Sequence, residues 1–414
     1  MTEAGEAGPG PEAARTTACS AQAHAAVAAA FRAEAGHLTA SLVRSLGDFD
    51  LAEESLQEAV VQALEHWPRE GIPSRPGAWL LTVARRRALN RLSRDARYAA
   101  KLAALMREPA REPDNRLQLV FTCCHPALRR EWQVALTLRA VFGFTTAEIA
   151  RAFVASEDAV AQRIVRAKRK IVSAGIPYRM PGPEELPGRL PEVLAVLYLL
   201  FNEGHLTTSG SGWRRDLSQD ALWLTGLLCR LLPGEPEALG LLALMRLHLA
   251  RADARFTDTG GLVRLADQDR SLWDHDEIQE AVALIERAAA MRRPGPYQIE
   301  AAIAACHAEA PSFESTDWAQ VVALYDLLLQ IEPSPVVRLN RALAIWQVAG
   351  AQAALRELDR LATELDGYHI YHAARGELLS EMGRDEQARA ARLKAHDLTH
   401  NQAERALLRQ RLLL

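Results

Sequence analysis

The sequence predicts an all-α fold, and three observations support this prediction. Alanine and leucine dominate the chain, and both residues enter a helix at low cost in free energy. Aromatic residues make up only 6% of the 414 residues, and no long stretch alternates as a half-buried strand does. Apolar residues recur instead at intervals of three and four. A helical chain of this length is expected to form two to four domains.

The composition also excludes several classes of protein. Hydrophobic residues are 49% and charged residues 24% of the chain, as in ordinary globular proteins. The apolar run at 193–201 is too short to span a bilayer, and the start of the chain lacks the pattern of a secretory signal. Five scattered cysteines do not form a disulfide framework. We therefore expect a cytoplasmic protein with no membrane partner.

The charge is distributed unevenly along the chain. Residues 1–175 contain 24 Lys and Arg against 19 Asp and Glu, a balance of +5. Residues 176–414 contain 25 against 33, a balance of −8. A basic first half indicates a polyanionic partner, although the positions of the charges matter more than their sum.

Composition and helix-breaking residues divide the chain into six segments. Clusters of Pro and Gly, polar stretches and the absence of apolar periodicity mark the boundaries. The predicted segments are a disordered N-terminus at 1–22, a helical domain at 23–95, a linker at 96–115, a second helical domain at 116–175, a linker at 176–188 and a helical extension at 189–414.

The extension contains a degenerate repeat. Ala342, Gly350, Ala354 and Leu358 are followed 32 to 34 residues later by Ala374, Gly383, Ala388 and Arg392. This interval is close to the period of tetratricopeptide repeats, in which small residues lie where two helices approach closely. The spacing predicts a solenoid-like array of helices, and Arg392 departs from the pattern.

The strongest local signal is a helix-turn-helix at 144–173. Thr145 and Glu148 have capping-box spacing, and Ser156 is placed to cap a second helix. That helix is predicted to bury Val160, Ile164, Ala167 and Ile171 and to direct polar and basic residues outward. Such residues contact base edges and phosphates in DNA-binding proteins. The alternative interpretation is an amphipathic core helix with a solvated basic face.

Two further helices flank a loop upstream. The segment 48–65 carries six acidic residues and no Lys or Arg, which suggests a protein partner with a basic or polar face or, alternatively, a solvated helix face. A loop at 68–77 contains three prolines and two glycines, and the basic helix 79–92 follows. A rigid loop beside a basic helix suits single-stranded nucleic acid. The alternative for Trp79 is a buried core position.

In this order, the three elements resemble the sigma-70 family, in particular its compact extracytoplasmic-function group. The resemblance is carried by "SLGDFDLAEESLQEAVVQALEHW", "RPGAWLLTVARRRALNRLSR" and "LRAVFGFTTAEIARAFVASEDAVAQRIVRAKRKI". It implies that 23–95 is sigma region 2 and that 116–175 is sigma region 4. It further implies an RNA polymerase sigma factor that directs promoter-specific initiation, with core polymerase (β′ clamp and β flap) and promoter DNA as partners.

The resemblance also implies roles for individual residues. Residues implied to bind the polymerase clamp are Asp48, Asp50, Glu53, Glu54, Gln57 and Glu58. Residues implied to recognise and melt the −10 element are Ile72, Arg75, Gly77, Trp79, Arg85, Arg86, Arg87, Asn90 and Arg91. Residues implied to bind the −35 element are Ser156, Asp158, Gln162, Arg163, Arg166, Lys168, Arg169 and Lys170. Val154 occupies a turn position that is often Gly, so the docking angle of this helix is open.

The whole chain resembles a sigma subgroup with a long C-terminal extension of tetratricopeptide-like helices. The runs "FTCCHPAL", "FNEGH", "LADQDRSLWD" and "GPYQIEAAIAACHAEA" carry this similarity. It implies that the extension controls activity in place of a separate anti-sigma factor, through an unidentified regulator. Whether it inhibits or is required stays open, as do the promoter, the regulon, the inducing signal and the oligomeric state.

Catalytic and metal chemistry are not expected. Cys123, Cys124 and His125 lack the spacing of a zinc site, and phosphate-binding and dinucleotide-binding motifs are missing from the sequence. We predict no enzyme activity, no cofactor and no metal. The alternative to a sigma factor is a polymerase-independent helix-turn-helix regulator whose repeats bind a partner protein.

Overall fold

The computed structural model describes residues 11–92, 115–152, 155–205, 212–255, 257, 262–399 and 402–412. The regular elements of these residues are α-helices and two single-turn 3₁₀ helices. The chain divides into two compact units, Met1–Val196 and Leu197–Leu414. Each helix in the described ranges is too short or too polar to cross a membrane. The predicted all-α fold is confirmed.

The helices up to the unit boundary are α1 (Pro11–Leu46), α2 (Phe49–Glu70), α3 (Pro76–Leu92), α4 (Arg116–Cys123), α5 (Arg130–Ala140), α6 (Thr146–Ala152), α7 (Glu157–Ser173) and α8 (Leu186–His205). Helix α8 continues past the boundary. The helices after it are α9 (Gly212–Leu231), α10 (Pro236–Leu249), α11 (His275–Ala290), α12 (Pro296–Glu309), α13 (Trp318–Ile331), α14 (Pro335–Ala349), α15 (Ala351–Asp359), α16 (His369–Glu381), α17 (Asp385–Leu398) and α18 (Gln402–Leu412).

The first three helices pack around one apolar core. Leu42 of α1, Leu56 of α2 and Leu80 of α3 are among its buried members, and Trp67 fills the end of α2. Each side chain lies on a face with helical spacing, so that burial of these faces drives the packing. The core places the acidic helix α2 next to the basic helix α3.

Two boundaries differ from those expected from the sequence. Helix α1 begins at Pro11, ahead of the predicted boundary at 22/23, because its alanine-rich start favours the helix even without a periodic apolar face. Helix α2 continues through Pro68 to Glu70. A proline so close to the helix end disturbs only its last turn, and Gly71, with a φ of 89°, ends the helix. The loop is therefore 71–75. The predicted linker 96–115 lies outside the described residues except for Asn115.

The extension consists of successive helices that pack on their neighbours along the chain, and their small residues allow close packing. In α14–α15 and α16–α17, the paired Ala342 and Ala374 are buried, as are Ala354 and Ala388. The paired Gly350 and Gly383 both have positive φ, 80° and 70°, a conformation that favours glycine at a tight helix connection. The degenerate repeat thus corresponds to a repeated pair of helices.

Candidate nucleic-acid and partner interfaces

Helices α6 and α7 form the predicted helix-turn-helix. The backbone N–H of Thr145 donates to the Glu148 carboxylate (2.8 Å), and the backbone N–H of Glu148 donates to the Thr145 hydroxyl (3.2 Å), so the capping box is present. The Ser156 hydroxyl accepts from the backbone N–H of Ala159 (3.2 Å). The predicted buried face is confirmed, with Val160, Ile164, Ala167 and Ile171 all buried. The turn residue Val154 lies outside the described residues.

Most of the predicted DNA-contacting side chains of α7 face solvent. Those that are exposed are Ser156, Asp158, Gln162, Arg166, Arg169 and Lys170. Arg163 is half-buried and pairs with Glu131 (3.3 Å). Lys168 is the exception, because its side chain is only 13% exposed and points into the first unit.

Lys168 contacts the acidic helix. Its ammonium group lies 2.9 Å from the Asp50 carboxylate and 2.6 Å from that of Glu53. Arg139 of α5 donates to the same Glu53 carboxylate through Nε (2.6 Å) and Nη2. Burial alone would raise the pKa of Glu53, but Arg139 and Lys168 outweigh it and hold that pKa below its ordinary value. Burial likewise opposes the Lys168 charge, yet Glu53 and Asp50 raise the Lys168 pKa.

The loop and α3 present only part of the predicted −10 set. Ile72 and Arg75 are exposed, whereas Gly77 is buried, and a Cβ there would lie 1.9 Å from the Glu34 carboxylate. Trp79 is half-buried and meets Trp67 edge to face at 5.6 Å between ring centroids. Trp79 also packs against the apolar core of the first three helices, which favours the core interpretation.

The basic side chains of α3 differ in their surroundings. Arg86 and Asn90 are exposed. Arg85 donates to the Ser41 hydroxyl (3.1 Å). Arg87 lies 3.7 Å from the Glu58 carboxylate, and Arg91 forms ion pairs with both Glu54 and Glu58.

The acidic helix α2 therefore contacts basic residues on two of its sides. Asp48 caps it by accepting from the backbone N–H groups of Asp50 (2.8 Å) and Leu51 (3.0 Å), and Gln57 is exposed. Glu54 and Glu58 face α3, whereas Asp50 and Glu53 face α5 and α7. The structure therefore brings predicted polymerase-binding and DNA-binding residues into contact with each other.

Arg139 was missed by the sequence reasoning. It lies in the third run that carries the sigma-70 resemblance, but it was assigned no role, and its partner Glu53 is 86 residues away. The local sequence around an arginine gives no sign of so distant a partner, so only the tertiary structure reveals this contact.

Cys123, Cys124 and His125, the residues that suggest a metal site in the sequence, lie in the second helical domain. Cys123 and Cys124 are buried, and the Cys124 thiol lies 3.6 Å from the Thr137 hydroxyl. Burial raises the pKa of Cys124 to about 12, which keeps the thiol protonated. The His125 ring nitrogen accepts from the backbone N–H of Ala127 (3.0 Å). Within the described ranges, no three His, Cys, Asp or Glu side chains cluster as metal ligands do.

The polar run 267–274 in the extension stabilises local structure. Asp274 caps α11 by accepting from the backbone N–H of Glu277 (3.0 Å), and Asp269 caps the 3₁₀ turn before it. Arg270 donates to the backbone carbonyls of His307 (2.6 Å) and Ala310 (2.7 Å) and stacks 4.3 Å above the Trp273 ring. These contacts cap helices and bridge neighbouring elements.

Comparison with known families matches three parts of the chain. Residues 30–98 match the model of sigma-70 region 2, and 118–171 match that of sigma-70 region 4. Residues 189–289 match a family of unknown function, DUF6596. An uncharacterized protein of Rhizobium meliloti (strain 1021) is 44% identical over 388 residues, which cover 90% of this chain and 92% of that protein.

Proposed function

The chain belongs to the sigma-70 family, as an extracytoplasmic-function-like sigma factor with a C-terminal extension, and from this membership we propose how it recognises polymerase and promoter. Helix α7 binds the −35 element, α3 and the loop before it bind and open the −10 element, and α2 binds the polymerase clamp. The observation that carries the proposal is the composition of α7, whose buried face is entirely apolar and whose exposed face carries Gln162, Arg166 and Arg169.

The chemistry of these exposed side chains supports −35 recognition. An arginine side chain in the major groove donates two hydrogen bonds to one guanine, and a glutamine pairs in the same way with adenine. Lys170 at the end of α7 is exposed and is suited to a phosphate. Ser156 and Asp158 lie at the N-terminal end of the helix, which in helix-turn-helix proteins contacts base edges.

Region 2 supports the second part of the proposal. Arg75, Arg86 and Asn90 are exposed along one loop and one helix, so they present both charge and an amide to an unstacked strand. Glu54 and Gln57 are exposed on the adjoining helix α2, where Gln57 can contact a basic protein surface directly and Glu54 would exchange its ion pair with Arg91 for one with that surface.

The extension is proposed to control this activity. Its acidic balance and its packed helices suit a protein-binding module, and its first part, residues 189–289, matches a family separate from the sigma regions. We infer that it acts on regions 2 and 4 of the same chain, under an unidentified regulator.

The experiment is transcription in vitro with core polymerase over a genomic promoter pool. Arg166→Ala should lower transcription from the cognate promoter roughly tenfold or more, the cost of losing one bidentate base contact. Arg389→Ala, an exposed arginine of α17 in the extension, is the matched control and should transcribe normally. Equal transcription by both variants would contradict the −35 role of α7.

A second measurement distinguishes a sigma factor from the alternative, a polymerase-independent regulator. Binding to core polymerase without DNA should be lost in Glu54→Lys and kept in Glu386→Lys, a matched reversal on an exposed acidic residue of the extension. If the wild-type chain binds promoter DNA but not core polymerase, the protein is instead a polymerase-independent regulator.

A further inference from the structure

We propose that the free protein is closed by a charged contact between regions 2 and 4, which opens when the protein binds polymerase and promoter. The contact, called here the clasp, consists of Asp50 and Glu53 on α2 with Arg139 on α5 and Lys168 on α7. This inference rests on the proposed function for its consequence but not for the existence of the clasp.

The clasp is a compact network of complementary charges. Both cations contact Glu53, and Lys168 also contacts Asp50. The side chains of Lys168 and Glu53 are only 13% and 27% exposed. Charged hydrogen bonds that are partly withdrawn from water are stronger than exposed ion pairs, so this network is more than a chance surface contact.

The surfaces around the clasp fit closely. A Cβ on Gly36 of α1 would lie 1.9 Å from the Val141 carbonyl oxygen, and one on Gly143 would lie 2.5 Å from the Ala35 side chain. A cavity of about 30 Å³, lined by Phe31, Leu136, Lys168 and neighbours, is the size of a water site. At these glycines, regions 2 and 4 therefore approach each other too closely to leave room for a side chain, beside the ion pairs.

A second link comes from the segment that leads to the extension. The Tyr178 hydroxyl lies within hydrogen-bonding distance of the carbonyl oxygens of Ala40 in region 2 (2.9 Å) and Asn115 at the start of region 4 (3.1 Å). Arg44 donates to the Asn115 side chain (3.2 Å). Because Tyr178 precedes α8 by only eight residues, this link lies close along the chain to the start of the extension.

The closed state is incompatible with the proposed function. The clasp occupies Lys168, proposed to bind DNA, and Asp50 and Glu53, proposed to bind polymerase. Contacts of these side chains with promoter or polymerase therefore require the ion pairs between them to be released.

Exchange of charged partners explains how the clasp opens. A basic polymerase surface competes for Asp50 and Glu53, while DNA phosphates compete for Lys168. Because both halves of the clasp are charged, separating them returns these groups to water or to new charged partners. Apolar side chains beside the clasp, such as Ala35 and Leu136, become more exposed in the same step.

The test measures the distance between the regions in the full-length protein. Spin labels on Val61→Cys in α2 and Val172→Cys in α7, both exposed positions, report this distance by pulsed electron resonance after Cys19 and Cys306 are replaced by alanine. The remaining cysteines are buried. The free protein should show one short, narrow distance distribution. Arg139→Glu should raise the open fraction at least tenfold, and Arg139→Lys should keep the protein closed.

Two controls and a second test variant keep the test decisive. Arg129→Glu makes the same charge change about 15 Å away along α5 and should stay closed. Tyr178→Phe removes one hydroxyl, leaves each fold intact, and should also raise the open fraction. Circular dichroism should show unchanged helix content in each variant. A broad, long distance in the wild type, or equal results for Arg139→Glu and Arg129→Glu, would overturn the clasp.

Core polymerase then separates this inference from the proposed function. Its addition should abolish the short distance in the wild type. A free protein that is closed as expected, but stays closed with excess core polymerase and promoter, would support the clasp and count against the sigma function proposed above.

Discussion

Two helix contacts in this molecule, the clasp in the first unit and the α10–α12 contact in the extension, use opposite chemistry. The clasp joins its helices through Asp50, Glu53, Arg139 and Lys168. Helix α10 is apolar on nearly every side and packs on α12, where a Cβ on Gly240 would lie 2.6 Å from the Gln298 backbone nitrogen. Its buried residues are Pro236, Ala238, Leu239, Gly240, Leu241, Leu242, Ala243, Leu244, Met245 and Leu247.

The difference shows which contact is built to open. Separating α10 from α12 would expose apolar surface to water at a free-energy cost of about 25 cal/mol per Å². We therefore expect this contact to persist until the extension unfolds. Separating the clasp exposes ions, which water or charged partners stabilise. The charged contact therefore fits the proposal that regions 2 and 4 separate on binding, and the apolar contact fits an extension that keeps its fold.

The largest expected effect comes from overpacking the apolar contact. Gly240→Ala should destabilise the extension by about 1–3 kcal/mol, because the new methyl group meets the α12 backbone. Urea unfolding followed by circular dichroism measures this loss. Gly226→Ala in α9 is the matched control: its Cβ meets only the Arg230 side chain at 3.6 Å, and it should be neutral or slightly stabilising. Equal behaviour of the two variants would mean that α10 and α12 are not in close contact.

The same substitution in the first unit should open the protein rather than unfold it. Gly36→Ala places a methyl group against the Val141 carbonyl, so regions 2 and 4 should separate while each keeps its fold. The spin-label distance should lengthen with little change in helix content. Gly188→Ala in α8, where a Cβ meets nothing within 4 Å, should stay closed. If Gly36→Ala unfolds the first unit, the clasp is a permanent interface.

Lowering the pH should weaken the clasp in the first unit and stabilise the extension against unfolding. The lowered pKa of Glu53 means that its stabilisation is present above the ordinary Glu pKa of about 4.3 and is lost as the pH falls through the lower value of the closed state. The closed fraction should therefore fall below about pH 4. A closed fraction that stays constant to pH 3, with helix content unchanged, would contradict the role of Glu53.

In the extension, burial, with added repulsion from Glu332, raises the pKa of Glu300 on α12 to about 7. A raised carboxyl pKa costs folding stability as the pH rises from about 4.3 through 7, so the extension should melt a few degrees lower at pH 8 than at pH 5. Glu300→Gln should remove most of this difference, as measured by thermal unfolding. An unchanged pH dependence in the variant would assign the effect to other groups.

The smallest expected effect is that of salt. Raising NaCl from 0.1 to 1 M shortens the screening length from about 10 to 3 Å and should increase the open fraction modestly, because the clasp is only partly exposed. The Arg139→Glu variant, already open, should respond less. A wild-type distance distribution that is identical at both salt concentrations would show that shape complementarity, rather than charge, holds the regions together.

Local features were predicted correctly where their cause lies within a few residues. The Thr145–Glu148 capping box, the Ser156 cap and the buried face of α7 follow from spacing alone. The paired glycines at 350 and 383 also follow from the repeat. Pro68 was placed in the loop because proline disfavours a helix, but packing of Trp67 in the core carries α2 past it.

The sequence by itself determined the all-α fold, the helix-turn-helix, the acidic and basic helices and membership of the sigma-70 family, because helix periodicity, caps and motif spacing are local properties of the chain. Only the tertiary structure decided that Lys168 faces Asp50 and Glu53 instead of solvent, and that Arg139 joins them from 86 residues away. The spacing of charged residues along the chain does not indicate which opposite charges they will contact. Which ones meet depends on how the apolar faces pack, and that is settled only when the whole first unit folds.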